Sequence, residues 1–486
     1  MPRSVLTLSS RAARSGLVAV VTGVVLAAGL AAPAAAAVPT APTGVWGIGY
    51  EGAVRLTWVG PDDDGGAAIT SYLVTDDLGG SWTLDPEAIY PTVIDGLPNG
   101  VARRFTVTAV NTDGPGPASA PSAPVTPHAQ YAGPVWTATG SLPAAREHAG
   151  AVLLGTGQVL VVGGTRFDPA TWTSHALATA LLYDPATGRW ARTGSLPAPR
   201  AEFALVTLAD GRVQLTGGFD ASWSPTATTF LYDPATGTWS TGTPMTRARA
   251  HHSATVLANR QVLVAGGETT GPAVTATAET YAPATATWRA TRPMPTPRHR
   301  HSAVVLPAGS AGQVILVGGN DGTDGLRPTA LYEQATRTWV VGPSLQRQRT
   351  TEDVGDPTVT ALADGRVLVA GGYYGGVLRS AEVYTPSTNT FALTRPLRFA
   401  LEGDHTATLL TDGRVLVVGG IDDWGGLRTT QLWSPVTGRW TRGNDLPGDR
   451  ASHVAVRTGS GAVLVAGGME WAPAFGSVRT ALLYQP

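Results

Sequence analysis

The chain of 486 residues balances 34 basic against 35 acidic groups, and every basic one is Arg, so it lacks the positive excess of a nucleic-acid binder. Without Lys it can form neither a Schiff base nor a phosphate-cradling P-loop, and without Cys it has no disulfide, thiolate nucleophile, iron–sulfur cluster or Cys-ligated zinc. Sixty Gly and 37 Pro predict many turns and short strands.

Residues 1–37 read as an export signal. Arg3, Arg11 and Arg14 precede the apolar run GLVAVVTGVVLAAGLAA (16–32), and APAAAA offers small residues for cleavage near Ala37. The mature protein is therefore expected to be secreted and extracellular, with no membrane contact after cleavage. Abundant Ala, Gly, Pro and Arg suggest a GC-rich bacterial genome.

Residues 38–127 alternate apolar and polar positions. Trp58 and Tyr72 fall on short strands joined by the acidic DDDGG turn, and Phe105, Val107 and Ala109 repeat at period two. Trp58, the DGG-x-x-I-x-x-Y turn and F-x-V-x-A-V-N together resemble a fibronectin type III domain. The resemblance implies a β-sandwich, with Arg103 standing where the family usually has its corner Tyr. PVTPHAQYAGP (124–134) is a Pro-containing linker, and 128–486 forms the second domain.

Gly pairs at 163–164, 217–218, 266–267, 318–319, 371–372, 419–420 and 467–468 are spaced by 54, 49, 52, 53, 48 and 48 residues. Each pair ends an apolar run such as VLVVGG, often after a DG turn suited to a tight hairpin. Aromatics follow at Tyr183, Tyr232, Tyr281, Tyr332, Tyr384, Trp433 and Tyr484, and seven residues later at Trp190, Trp239, Trp288, Trp339, Phe391 and Trp440. Glycine pair, turn and aromatics resemble kelch repeats, which implies a β-propeller of four-stranded blades, strands a to d. The last repeat lacks its second aromatic, while Trp136 sits 54 residues before Trp190. The expected fold is all-β: a fibronectin type III sandwich, then a seven-bladed kelch propeller whose last blade is completed by the N-terminal strand around Trp136.

In such a blade the b–c and d–a connections emerge on one side, and the longer, more varied b–c loops place the candidate site there. Ligand-binding candidates are Trp172, Trp223, Arg300, Tyr373, Tyr374, Asp422, Asp423, Trp424 and Trp471, with Arg379, Arg428 and Arg479, each five residues before a strand-c aromatic as Arg327 is. The residue before the recurrent strand-a His position gives Glu147, Glu202, His251, Arg300, Asp356, Asp404 and Ser452 around the central opening. Catalytic candidates are Glu352, Asp356, Glu402 and Asp404. Strand-a His148, His252, His301, His405 and His453 are read as packed blade residues, so no metal and no other cofactor is expected.

Aromatics beside carboxylates and Arg suit a polar ligand with apolar faces. The expected function is a secreted binding or adhesion module, monomeric, recognising an extracellular glycan or protein and no nucleic acid. The alternative is a carbohydrate-active hydrolase, lyase or epimerase using the carboxylates of blades five and six. Secreted kelch propellers include galactose-oxidase-like copper radical enzymes, whose cofactor cross-links Tyr to Cys. The absence of Cys leads to the expectation that this activity is excluded; the reading as a binding module leans against an enzyme and leaves the carbohydrate-active alternative open.

Overall fold

The computed structural model describes residues 37–86, 91–131, 133–271, 273–306, 312–350, 356–471 and 475–486. The export signal lies outside the described residues except for Ala37, and the catalytic candidate Glu352 lies outside them too. Every strand and helix assignment among the described residues is a β-strand, so no helix there is long and apolar enough to cross a membrane. The chain divides into two compact units, Met1–Gln130 and Tyr131–Pro486.

The first unit stacks two sheets. Thr43–Tyr50, Ala53–Val59 and Thr92–Asp95 form one, and Ser81–Leu84, Ser71–Asp76, Phe105–Asn111 and Gly114–Ala118 form the other. The period-two pattern of Phe105–Asn111 buries Phe105, Val107 and Ala109 in a shared core with Trp58 and Tyr72. The rings of Trp58 and Tyr72 meet edge-on at 5.4 Å. Arg103 takes up a role of its own by pairing with the Asp76 carboxylate. Burial pushes Asp76 up, but the Gly80 N–H and the Arg103 guanidinium outweigh it and hold the acid below its ordinary value.

The second unit is built from successive four-stranded antiparallel sheets. The first has Gly150–Leu153, Val159–Val162, Ala180–Asp184 and Arg189–Arg192 as strands a to d. The VLVV-type b strands are buried along their length because a sheet covers each of their faces. The a strands of neighbouring sheets lie side by side, and the last a strand, Val454–Arg457, meets the first, Gly150–Leu153. In the last sheet Trp136–Ala138 pairs antiparallel with Ala481–Tyr484, in the register Tyr484 opposite Trp136. That pair repeats the aromatic contact of the other sheets: ring centroids are 5.2 Å apart, against 5.0 Å for Tyr183–Trp190 and 4.9 Å for Tyr281–Trp288. The Trp136 indole N–H also donates to Thr430 Oγ1 and the Asn444 carbonyl, both at 3.1 Å, which ties the strand to the neighbouring sheet.

Candidate functional site

An Arg that the pattern of aromatics and glycines does not reveal anchors the entry to most sheets. Arg146, Arg200, Arg249, Arg298, Arg349 and Arg450 are almost fully buried. All but Arg200 donate from Nη1 to the carbonyl of the first glycine of a pair, at 2.6 Å for Gly266 and 2.8 Å for Gly371 and Gly467. Burial alone brings Arg146 and Arg298 down to about 10, whereas Arg249 and Arg349 have buried carboxylate partners, Glu279 at 3.0 Å and Glu382 at 2.7 Å. The second glycine admits the chain that follows this Arg. At Gly267, with φ of +101°, a Cβ would come within 2.6 Å of the Ala250 carbonyl. Ala250 and Glu268 then bridge each other with two backbone hydrogen bonds of 3.0 and 2.8 Å, and His299 and Asn320 do the same one sheet on. The d–a segment is thereby fixed against the start of the b–c loop.

Two residues after Arg146, Arg200, Arg249, Arg298 and Arg450 the backbone turns left-handed. His148, Glu202, His251, Arg300 and Ser452 have φ between 49° and 54°, and Asp404 shares the geometry at 57°. Such torsions cost a residue with a side chain about 1–3 kcal/mol, and they persist only where the surroundings impose them. Here neighbouring segments impose them: the N–H groups of His148, His251, Arg300 and Ser452 donate to the carbonyls of Ser452, Glu202, His251 and Asp404, at 2.9 to 3.1 Å. The result is a rim of polar side chains from successive sheets. It corrects the expected alignment in the first sheet. His148 occupies the rim position, not strand a. Glu147 lies one residue earlier, buried, accepting from Thr165 Oγ1 at 3.3 Å and Ser477 Oγ at 3.1 Å.

Imidazoles and carboxylates alternate in a chain of contacts along the rim. His148 Nε2 lies 3.8 Å from Asp404 Oδ1, and its Nδ1 lies 4.0 Å from Glu202 Oε1. Glu202 Oε2 is 3.4 Å from His251 Nε2. His251 Nδ1 and His299 Nδ1 then converge on Glu268 Oε1, at 2.7 and 2.8 Å. Burial opposes the charge on His148, but Glu202 and Asp404 outweigh it and push the imidazole up to about 10. Burial and Arg300 oppose the charge on His251, and Glu202 with Glu268 overcomes both, raising it. The imidazoles in turn hold Glu202 and Glu268 well below the usual carboxylate range against the effect of burial. Across the rim Arg300 Nη1 lies 3.7 Å from Asp356 Oδ2. Among the described residues Asp356 Oδ1 is buried without a hydrogen-bond partner, and burial keeps this acid above its ordinary value despite Arg300.

His251 Nδ1, Glu268 Oε1 and His299 Nδ1 lie within 4.8 Å of one another, one nitrogen, oxygen or nitrogen from each side chain. Two imidazoles and a carboxylate form a donor set taken by copper, iron or zinc. The sequence pattern, which draws attention to the strand-a histidines, does not mark this group as a metal site. Its members come from two adjacent repeats, and Glu268 directly follows a glycine pair rather than standing in a charged loop. The strand-a series itself is engaged between sheets. Nε2 of His252, His301, His405 and His453 lies 2.9, 2.9, 3.1 and 2.8 Å from Thr216, Ser253, Thr358 and Thr406 hydroxyls.

The remaining candidates scatter. Asp356, Asp404 and Arg300 share the rim, while Glu402 is buried beside it, its N–H donating to the Ile421 carbonyl at 2.9 Å. Asp422 is buried and its Oδ1 accepts the Trp424 N–H at 3.0 Å, closing a tight loop in which Asp423 is exposed. Arg379 and Arg479, like Arg327, direct Nε at the carbonyls of Leu397, Leu142 and Leu345, at 3.1, 2.7 and 2.9 Å, so their heads hold chain rather than face the rim. Arg428 Nε is buried. Trp172 is exposed and stacks on Phe475 at 5.7 Å, and Trp471 meets the same ring edge-on. Trp223 tilts against Phe219; Tyr373 is buried and Tyr374 half exposed.

A family model described as the kelch motif matches residues 203–246 and 405–447. Two galactose oxidases of Gibberella zeae are 37% identical over 82 residues, which is 16% of this chain and 11% of theirs. The chain thus matches only about a tenth of the length of these curated relatives. Among solved structures, a fungal alcohol oxidase of the AA5 family in complex with copper superposes with a TM-score of 0.59 at 19% identity, over 73% of this chain and 76% of that one. These likenesses correct the functional expectations. The expected binding or adhesion module, and equally the carbohydrate hydrolase, lyase or epimerase, is contradicted by these likenesses, since the proteins that this chain resembles are named as oxidases. The leaning against an enzyme, with copper radical oxidase activity excluded, falls with it. The absence of Cys removes a thioether bridge to Tyr, but it leaves untouched the nitrogen and oxygen donors that a copper ion takes. The Tyr131–Pro486 unit is a kelch-repeat, galactose-oxidase-like β-propeller.

Proposed function

We propose that this protein is a secreted, monomeric copper-dependent oxidase that converts the alcohol group of a small polar substrate to a carbonyl at the propeller's central rim. The observation carrying the proposal is the convergence of His251 Nδ1, Glu268 Oε1 and His299 Nδ1 within 4.8 Å. In the same reading the first unit is a fibronectin type III domain, for which the Trp58–Tyr72 core is the support. The propeller has seven blades, and the pairing of Trp136–Ala138 with Ala481–Tyr484 supports closure by the N-terminal strand. The balanced charge supports a small-molecule substrate rather than nucleic acid.

The residues fit copper: two imidazole nitrogens and one carboxylate oxygen would hold it. Bound there, the ion supplies a Lewis acid for the substrate oxygen and a redox centre. In the net reaction the alcohol loses its O–H proton and one C–H hydrogen, and its two electrons pass to dioxygen, which leaves as hydrogen peroxide. The chain's own groups divide the remaining work. Asp356, with Oδ1 unengaged among the described residues and its acidity weakened by burial, would accept the substrate hydroxyl proton. Arg300, 3.7 Å from Asp356 Oδ2, orients the oxygen-rich end of the substrate, and the His148 imidazolium keeps a fixed positive charge on the rim. The test is peroxide release and oxygen uptake by the copper-loaded protein over a panel of primary alcohols. Copper-dependent peroxide is expected, with a loss of about 100-fold or more in kcat for Asp356→Asn. A copper-loaded protein that releases peroxide from none of the panel overturns the proposal.

A further inference from the structure

His251 has a carboxylate at each ring nitrogen. Nδ1 faces Glu268 at 2.7 Å and Nε2 faces Glu202 at 3.4 Å. A neutral imidazole carries one proton, and the nitrogen that keeps it is set by whichever acceptor the other partner offers. Glu202 reaches His251 from the preceding sheet, and the connection is reinforced by the His251 N–H donating to the Glu202 carbonyl at 3.1 Å. Phe219 holds the ring from the side, edge to face at 5.4 Å. The Glu202 carboxylate is itself steadied. Its other oxygen lies 4.0 Å from His148 Nδ1, and His148 Nε2 lies 3.8 Å from Asp404. Asp404, His148, Glu202 and His251 thus form one run across four sheets that ends on a member of the three-donor group.

We propose that Glu202 is a positioning residue for the metal centre: it accepts from His251 Nε2–H and so holds that proton in place, while Nδ1, which here hydrogen-bonds Glu268, is the nitrogen that would give up its proton to bind a metal alongside Glu268 and His299. This rests on the metal reading given above. His148 and Asp404 brace Glu202 from behind, and neither touches the three donors. Carboxylates placed behind metal-binding imidazoles in this way are worth about 10–100-fold in metal affinity. A carboxylate serving only the stability of the rim would leave affinity and ligand-field spectrum unchanged when removed.

The experiment measures copper(II) affinity by chelator competition, together with the electron paramagnetic resonance spectrum, and needs no turnover. Glu202→Ala is expected to weaken copper binding about 10–100-fold and to alter the hyperfine pattern. Glu202→Gln, whose amide oxygen still accepts from Nε2, should fall between it and the wild type, and His148→Gln should lose only a few-fold. His251→Ala serves as the reference for loss of the site. Affinity within about two-fold of wild type and an unchanged spectrum in Glu202→Ala overturn the inference, as does a wild-type protein whose copper binding is indifferent to His251→Ala. Should Glu202→Ala not melt cooperatively, Glu202→Gln decides, with weaker binding supporting the inference and unchanged binding overturning it. Copper binding that follows this order without any peroxide release sinks the oxidase proposal alone.

Discussion

Two sets of histidines stand one or two residues apart in the repeats and meet opposite fates. His252, His301, His405 and His453 sit between sheets, each sharing a hydrogen bond with a hydroxyl of the preceding sheet. Burial dominates there: it drives His252 and His301 well below the ordinary imidazole value, His405 to about 4 and His453 to about 3. His148 and His251, on the left-handed rim, are pushed the other way because carboxylates face them from neighbouring sheets. The residue type is the same and the sequence separation is minimal. What differs is whether the side chain meets hydroxyls and apolar walls or a ring of acids. The layer between sheets therefore tolerates polar groups only when neutral or paired, and the rim accumulates charge.

The strongest way to break that contrast is to strip the partner from a charge in the inner layer. Arg349 and Glu382 are both fully buried and lie 2.7 Å apart. Arg349→Met should lower the unfolding free energy of the propeller by about 3–5 kcal/mol, because Glu382 is left as an uncompensated buried carboxylate. Adding Glu382→Leu should recover most of the loss. At the rim, Arg300→Met removes a partly exposed pair with Asp356 and should cost about 1 kcal/mol or less. Urea denaturation of the three variants checks the comparison, and equal losses for Arg349→Met and Arg300→Met would abolish the distinction between the layers.

Acid provides a second test, comparable per group only over several pH units. In the unfolded chain an imidazole takes up its proton near pH 6.5, whereas native His405 does so near 4 and native His453 near 3. Between those values the unfolded state binds more protons, so stability falls as pH falls, by about 1.4 kcal/mol per unit for each group. Denaturation midpoints measured from pH 7 to pH 4 should show this slope, and His453→Gln should flatten it. A slope indifferent to that substitution would mean that His453 is not held neutral.

The inner layer was the legible part of the sequence. Glycine pairs, apolar b strands and the Tyr–Trp spacing report burial directly, and burial has a period. Trp136 could be matched with Tyr484 because the gap in one series and the surplus in the other were visible without coordinates. The rim was legible only in part. Glu202, His251, Arg300 and Asp404 were placed there, but in the first sheet His148 was aligned by residue type with the strand-a histidines. The anchoring Arg146 carries the true register: counting two residues from it gives His148, as counting two from Arg249 gives His251. Glu268 and His299 escaped because convergence between repeats leaves no mark within either one. Arg379 and Arg479 misled for the complementary reason, since a recurrent Arg can recur for a carbonyl in its own fold as readily as for a ligand.

The smallest expected effect on stability is the most selective for the rim. His148 is held near 10 by Glu202 and Asp404, so the stability it contributes is complete below pH 6.5 and is lost as pH rises through about 10. Asp404→Asn removes one of the two acids and leaves Glu202 in place. The His148 ring should then titrate closer to its ordinary value, as read by NMR of the imidazole protons, while the urea midpoint at pH 7 moves by less than about 1 kcal/mol because the side chains remain in contact with solvent. His405 and His453, where burial dominates and Asp404 only weakly opposes it, should stay depressed and fall far less than His148 in the same variant. A fall of equal size in all three would mean that one electrostatic field governs both layers. A fall concentrated in His148 would mean that the rim sets its protonation locally, as a site for proton and metal chemistry requires.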